Sequence, residues 1–542
     1  MIRHLSRRGR LTAGAATLCL VAVPVVVTTQ AQAAVVPTHV AGLAPLPFKG
    51  ATDLGAAQPS ASQSVTLVLA LQDRAGLDRL ATAQVTPGSA SYHQWLTPAE
   101  FISRFSPSES AVATATSFAT AHGLTVDSVS TNRTAVKVTG TTAQVNAAFG
   151  VVEHSLTLAG QTFLGPDRTA SLPASLASIS KAVLGLTTFN ANKNPITTRA
   201  AAPYQTYGIA SYGPKDFWQI YNAPAATTGT GQRVGVITNG DLTQVGKDLA
   251  TFEQRNGLPT VPLRIDQSGP TSTDVSGQDE YDLDTQYSTG FAPDVSEVVA
   301  FNSAALGDIG PLNQFAGQSL VRTASASYGG CELIDALVGE VSADDQAFLQ
   351  MQAQGQSMFV STGDEGSSCS VLVNTGTPAG VPSVEYPASS PYVVAVGGTS
   401  LTGQSTQPTR EIAWLGGGGG YSSVETAQPW QTDIAASVTG LRVLPDVSLD
   451  ADSNSGYNVI VSGTETPIGG TSASAPAWNG IWARVLQAHP SAGTAAPALY
   501  AASSALTDII LGTNGLYAAT PGYDQSTGLG TADITKLIAA VH

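Results

Sequence analysis

From about Tyr207 to the C-terminus, short apolar runs that mostly end in glycine alternate with stretches of helical character. The runs are RVGVITNG, SEVVAFN, TASASYGG, SMFVSTGDEG and YVVAVGG. Each suits one strand, and helices are expected between them over Thr243–Asn256, Gly277–Thr289 and Val341–Gln354. Strand–helix alternation of this kind predicts an α/β fold with a doubly wound, mostly parallel sheet. In that architecture active residues sit at the carboxyl ends of the strands. The Gly416–Gly420 run is too short for a flexible linker, so we expect another backbone to approach it closely.

A chain of 542 residues exceeds one compact domain. Ahead of the α/β region, residues from about Val40 to Phe189 read as an α+β domain. SVTLVLAL (Ser64–Leu71) and TAVKVTG (Thr134–Gly140) are expected strands. LTPAEFISRF opens a helix, with Thr97 as N-cap, Pro98 at the first helical position and Glu100 closing a capping box. Residues 190–206, NANKNPITTRAAAPYQT, read as a polar, unstructured, exposed linker open to proteolysis.

The first 33 residues have the basic, apolar and small-residue parts of a secretory signal, with cleavage expected after Ala33. Arg7-Arg8 leaves both the general and the twin-arginine export routes open. No later segment is a continuous apolar stretch long enough for a membrane span. The mature protein is therefore expected to be exported, with no membrane partner. Cys331 and Cys369 remain after the signal, an even count that suits one disulfide in an oxidising compartment; two buried thiols are the alternative. From Gln205 onward, 31 acidic residues face 10 basic ones, which argues against a nucleic-acid partner and suits an acidic setting.

GGTSASAPAW (Gly469–Trp478) has the form of a nucleophile's cradle. Ser472 follows a tight glycine approach and opens an apolar helical run, where unpaired N–H groups can hold an oxyanion. A small-residue turn capped by serine would read the same way. A histidine base is close to excluded. Beyond the linker only His489 and His542 occur, the first at the far end of the helix that Ser472 begins, the second at the chain terminus. Carboxylates remain. In GQDEYDLDTQY, Glu280 and Asp284 are four apart and share a helical face, whereas Asp282 falls roughly opposite. Two acids in contact share a proton, and one is pushed up in pKa; a solvated acidic face is the simpler alternative. Asp364 follows the strand SMFVSTG, either as an Asx-turn residue or, when protonated, as an oxyanion donor.

Together these residues resemble the sedolisin family, the serine-carboxyl peptidases with a subtilisin-like fold and glutamate in place of histidine. Ser472 in GGTSASAP, Glu280 and Asp284 in EYDLD, and Asp364 in STGDEG match the family's nucleophile, base pair and oxyanion aspartate, in the same order. SYHQWLTPAEFISRF is similar to the kumamolisin-type activation domain. The resemblance implies a propeptide over 34–189 and a peptidase domain over 207–542, with a processing site in the linker. It also implies a monomeric zymogen whose partners are protein or peptide substrates and its own propeptide, acting as intramolecular inhibitor and chaperone.

YGGCE and SSC resemble the positions of a family disulfide, Cys331–Cys369. Asp508, Ile509, Thr520, Gly522 and Asp524 resemble a calcium site of two carboxylates and three carbonyls. Thr520 replaces a frequent glycine, a change that a carbonyl ligand tolerates. Tyr328 stands where many members carry tryptophan, which alters the substrate cleft. The implied activity is acid-acting endopeptidase. The alternatives are a tripeptidyl-peptidase of the same family, a histidine-using subtilisin relative, or an inactive secreted binding protein.

Overall fold

The computed structural model describes residues 40–46, 50–158, 160–189, 197–198, 211–369, 382–402, 410–432, 434 and 439–542. The signal segment and most of the linker lie outside these. No helix among the described residues is long and apolar enough to cross a membrane.

The N-terminal region has two antiparallel sheets. The larger has four strands in the order Thr125–Val129, Ala135–Thr141, Ser62–Leu69 and Ser180–Leu184. Ser62–Leu69 alternates exposed and buried residues at its start, as a strand with one covered face does. The helix Pro98–Arg104 carries the full capping box between Thr97 and Glu100, with Pro98 in its first turn. The expected α+β character holds in this region.

The C-terminal region is built on an eight-stranded sheet. Its order is Leu263–Gln267, Val298–Ser303, Val234–Asn239, Thr323–Ala326, Ser357–Ser361, Val394–Thr402 and Arg410–Ala413, with Val447–Asp450 also paired to Val394–Thr402. All these pairings are parallel except that of Arg410–Ala413. Val234–Asn239 and Val298–Ser303 are buried at every position, so apolar residues run continuously through their first four or so positions rather than alternating with polar ones. The helix Thr471–Ala488 is buried along all of its first sixteen residues, and Trp478 and Trp482 fill the core beside it.

The glycine run behaves as its composition predicts. A Cβ on Gly418 would collide with the carbonyl of Thr362 and one on Gly419 with that of Gln525, so only glycine lets these backbones meet. Cys331 and Cys369 form a disulfide with their Cα atoms 5.7 Å apart. One expectation needs correction. Thr197 and Thr198, inside the segment read as unstructured, form a short strand antiparallel to Gly469 and Ile468. An extended polar chain can add itself to an open sheet edge through main-chain bonds alone, which side-chain composition does not reveal.

Candidate active site

Ser472 lies at the second position of the Thr471–Ala488 helix. The chain enters through Gly470, whose φ of 115° only glycine adopts without strain. Gly469 packs so closely on Ser453 and Ala451 that a Cβ there would meet their backbone atoms within 2.4 to 2.6 Å. The two glycines thus bring the serine onto a sharp strand-to-helix turn. Pro476 stands four residues on and has no N–H to give to the Ser472 carbonyl. That carbonyl instead lies 3.2 Å from the hydroxyl of Ser327.

Ser327 follows the strand Thr323–Ala326. Its Oγ is also 2.6 Å from Asp284 Oδ1, so one hydroxyl links the acid to the nucleophile's own backbone. Asp284 and Glu280 project from the helix Gln278–Phe291, which packs against the nucleophile's helix and is buried from Glu280 onward. Both carboxylates have no exposed surface. A solvated acidic face is therefore ruled out.

Burial raises the pKa of Glu280 first, and the neighbouring Asp284 raises it further; the Ser472 hydroxyl pulls the other way. Asp284 is also raised, by burial, against the lowering effect of Ser327. Two desolvated acids this close hold a proton between them over a wide pH range. No hydrogen bond is formed between Glu280 and Ser472 Oγ, and neither has another partner among the described residues. Catalytic contacts of this kind commonly close only around substrate.

Asp364 follows the strand Ser357–Ser361, and its Oδ1 accepts from both the backbone N–H (2.8 Å) and the hydroxyl (3.0 Å) of Thr471. The same hydroxyl meets the backbone of Gly363, which fixes the loop against the start of the nucleophile's helix. His489 sits at the opposite end of that helix, with Nε2 against the carbonyl of Ile538. The four residues singled out in the sequence thus surround one helix N-terminus. Ser327 and Thr471, which join them, escaped the sequence reading. Ser327 lies beside the noted Tyr328 and Thr471 inside the GTS motif, but neither carries a pattern of its own.

The residues expected to hold calcium also converge in part. Asp508 Oδ2 accepts from the N–H of Gly522 and Asp524 Oδ2 from that of Thr520, so two carboxylates from separate segments grip one loop. Ile509 is buried beside them.

A subtilisin-like sheet that carries a buried serine and paired carboxylates, with no histidine in reach among the described residues, defines a serine-carboxyl hydrolase. Comparison with known proteins agrees. Residues 49–189 match the family model "Pro-kumamolisin, activation domain" and residues 296–530 match "Subtilase family". Sedolisin from Pseudomonas sp. (strain 101) is 34% identical over 514 residues, covering 88% of this chain and 87% of its own. Xanthomonalisin from Xanthomonas sp. (strain T-22) is 31% identical over 541 residues, with 87% of this chain and 65% of its own covered. Mouse (Mus musculus) tripeptidyl-peptidase 1 is more distant, at 26% identity over 90% of this chain and 93% of its own. The solved structure of Pseudomonas sedolisin (serine-carboxyl proteinase) complexed with two molecules of pseudo-iodotyrostatin superposes with a TM-score of 0.57 at 35% identity. It spans 61% of this chain and 98% of that one. The chain belongs to the sedolisin family of serine-carboxyl peptidases and carries that family's kind of activation propeptide.

Proposed function

We propose that the chain is the zymogen of a secreted, acid-acting endopeptidase whose chemistry is carried by Ser472, Glu280, Asp284 and Asp364. Ser472 Oγ attacks the scissile carbonyl carbon and passes its proton to Glu280. Glu280 then returns the proton to the leaving amine, and water repeats the sequence on the acyl-enzyme. Asp284 orients Glu280 and takes part of its charge. Protonated Asp364, held by Thr471, donates to the oxyanion, and loss of one such donor costs about 10²–10³ in rate. The observation that carries the reading is the Ser327 bridge, which ties Asp284 to the backbone of the nucleophile inside a fully buried acid pair.

The test is a time course of the precursor at about pH 4 and about pH 7, followed by intact mass, where an acid pair that must hold a proton works only in the first. We expect the wild type to shed its first 200 or so residues only in acid, and Ser472→Ala to stay whole in both. Processing of the Ser472→Ala precursor at the wild-type rate would remove the serine from the mechanism. The curated tripeptidyl-peptidase relative supports exopeptidase action as the second reading; cleavage of a peptide with a blocked N-terminus decides against it.

A structural calcium ion completes the proposal. The donors are hard oxygens, as calcium needs: the carboxylates of Asp508 and Asp524 and the carbonyls of Ile509, Thr520 and Gly522. The carboxylate of Asp524 accepts from the backbone N–H groups of Thr520, Ser526 and Thr527, which holds the loop that would present these oxygens. Chelation should therefore lower the melting temperature, and Asp524→Asn should abolish that sensitivity; an unchanged melting curve on chelation would refute the site.

A further inference from the structure

The helix Gln278–Phe291 carries Glu280 and Asp284 on one face, and its opposite face bears a second row at the same spacing: Gln278, Asp282 and Gln286. The row lies along a hairpin of the antiparallel strands Tyr457–Val461 and Thr464–Gly469, and Ser472 follows that hairpin by three residues. Gln278 Nε2 donates to Ser462 Oγ at the hairpin's tip (3.0 Å). Gln286 Nε2 donates to the carbonyl of Ile460 and its Oε1 accepts from the N–H of the same residue, both at 2.8 Å. Asp282, between them, reaches the tip through its neighbour Asp248, on the helix Thr243–Asn256. Asp248 Oδ2 accepts from the N–H of Ser462 and Oδ1 from that of Gly463, each at 2.8 Å.

The two acids are both buried but differ in what holds them. Asp248 has those two N–H groups and the side-chain amide of Gln244 at 3.2 Å, donors that suit an ionised carboxylate. Asp282 has Gln278 Nε2 on Oδ2 at 3.4 Å, and its Oδ1 has no partner among the described residues. Two desolvated acids side by side hold a proton, and this difference in donors puts it on Asp282, as an O–H that donates to Asp248. Burial first, then the charge of Asp248 and, less, that of Asp279 raise Asp282 to about 8. The surrounding cations are engaged elsewhere. Lys247 and Arg255, on the helix of Asp248, donate to Gln244 and to the carbonyl of Gly463, and Arg484 of the nucleophile's helix donates to the carbonyl of Phe291. The one charged residue on the hairpin's strands is Glu465, a further negative charge.

We propose that Asp282 is a positioning residue: the proton it shares with Asp248 fixes the helix of Glu280 and Asp284 against the hairpin that delivers Ser472. The inference rests on the peptidase reading above. Glutamine does not titrate, so the middle rung of the row is the one that pH can break. Once Asp282 ionises, its hydrogen bond to Asp248 is gone and two carboxylates repel beneath the hairpin's tip. The clamp is therefore complete in acid and is lost as pH rises through the raised pKa of Asp282.

The test compares backbone amide exchange in the full-length wild type and in Asp282→Asn, whose amide can donate to Asp248 but cannot ionise. We expect the two to agree at about pH 6; at about pH 9 residues 457–470 should exchange about tenfold or more faster in the wild type, with the propeptide's four-stranded sheet alike in both. Equal exchange at both pH values, or a difference spread evenly along the chain, overturns the inference. In acid-processed enzyme at about pH 4, Asp282→Ala should lose about tenfold in kcat with KM little changed, and Asp282→Asn should restore most of the loss. Equal kcat in all three overturns the positioning role. If the alanine variant does not fold, the exchange comparison alone decides. A wild type that cleaves no peptide overturns the peptidase reading, whereas the exchange comparison still decides the clamp.

Discussion

Ser327 is the residue through which the acid pair and the nucleophile feel each other. Its hydroxyl lowers the pKa of Asp284 by stabilising the ionised carboxylate, against the burial that raises it. Ser327→Ala removes that stabilisation, so the pair should keep its proton to higher pH. We expect the alkaline limb of the kcat/KM profile to move upward in pH, while an unmoved limb would show that Ser327 only packs. Neither the bridge nor its partner Thr471 could be read from a pattern. Serine and threonine are among the commonest residues of this chain, and their role comes from where two strands end. Glu280, Asp284, Asp364 and Ser472 were legible because the motifs that carry them, taken together and in order, resemble those of a known family; each motif alone also allowed a purely structural reading.

At the scale of elements, the strand-to-helix turn before Ser472 is the part least tolerant of change. Gly470 holds φ 115° and ψ 156°, a region open in effect to glycine alone, which costs another residue about 1–3 kcal/mol. Gly470→Ala should therefore fold with a lowered melting temperature and lose most of its turnover, because the serine shifts relative to Glu280. Full activity with unchanged stability would show that the turn can relax.

The helix Gln278–Phe291 illustrates the limits of periodicity. The i, i+4 spacing placed Glu280 and Asp284 together, as found, and put Asp282 on the opposite side. Position alone did not say that the opposite side is buried too. Asp282 is enclosed beside Asp248, which accepts from the backbone of Ser462 and Gly463 in a neighbouring turn. A helix wrapped on all sides shows no amphipathic contrast, so the burial of Asp282 has no signature in the sequence pattern.

At the scale of the whole molecule, buried acids outweigh buried bases among the described residues. Burial raises Asp282 to about 8, with the negative Asp248 adding to it, and burial is likewise the main reason that Glu153 and Glu425 stand at about 8 and Glu253 at about 7. For a carboxyl whose folded pKa is raised, the folded state binds more protons than the unfolded one. Its contribution is fully present below the ordinary carboxylate range and is lost as pH rises toward 8. Asp167, held down at about 2 by Arg168 and by the N–H of Val152, acts oppositely but is already ionised throughout that window. The precursor's melting temperature should thus fall from about pH 5 to about pH 8, where these raised groups lose their advantage. Asp282→Asn should flatten part of the fall; a melting temperature that rises over this range would contradict the picture.

The sequence by itself determined the α/β layout, the order and identity of the four catalytic candidates, and the exclusion of histidine. Those follow from apolar periodicity, the resemblance of four ordered motifs to a known family and a count of residue types, which are properties of the chain alone. Tertiary structure decided which acids lose water, which hydroxyls join Asp284 and Asp364 to the nucleophile's helix, and which acid stands beside Asp282. Desolvation and hydrogen bonding depend on neighbours distant in the chain. Asp248 lies 214 residues from Ser462 in sequence, yet its carboxylate accepts from that backbone.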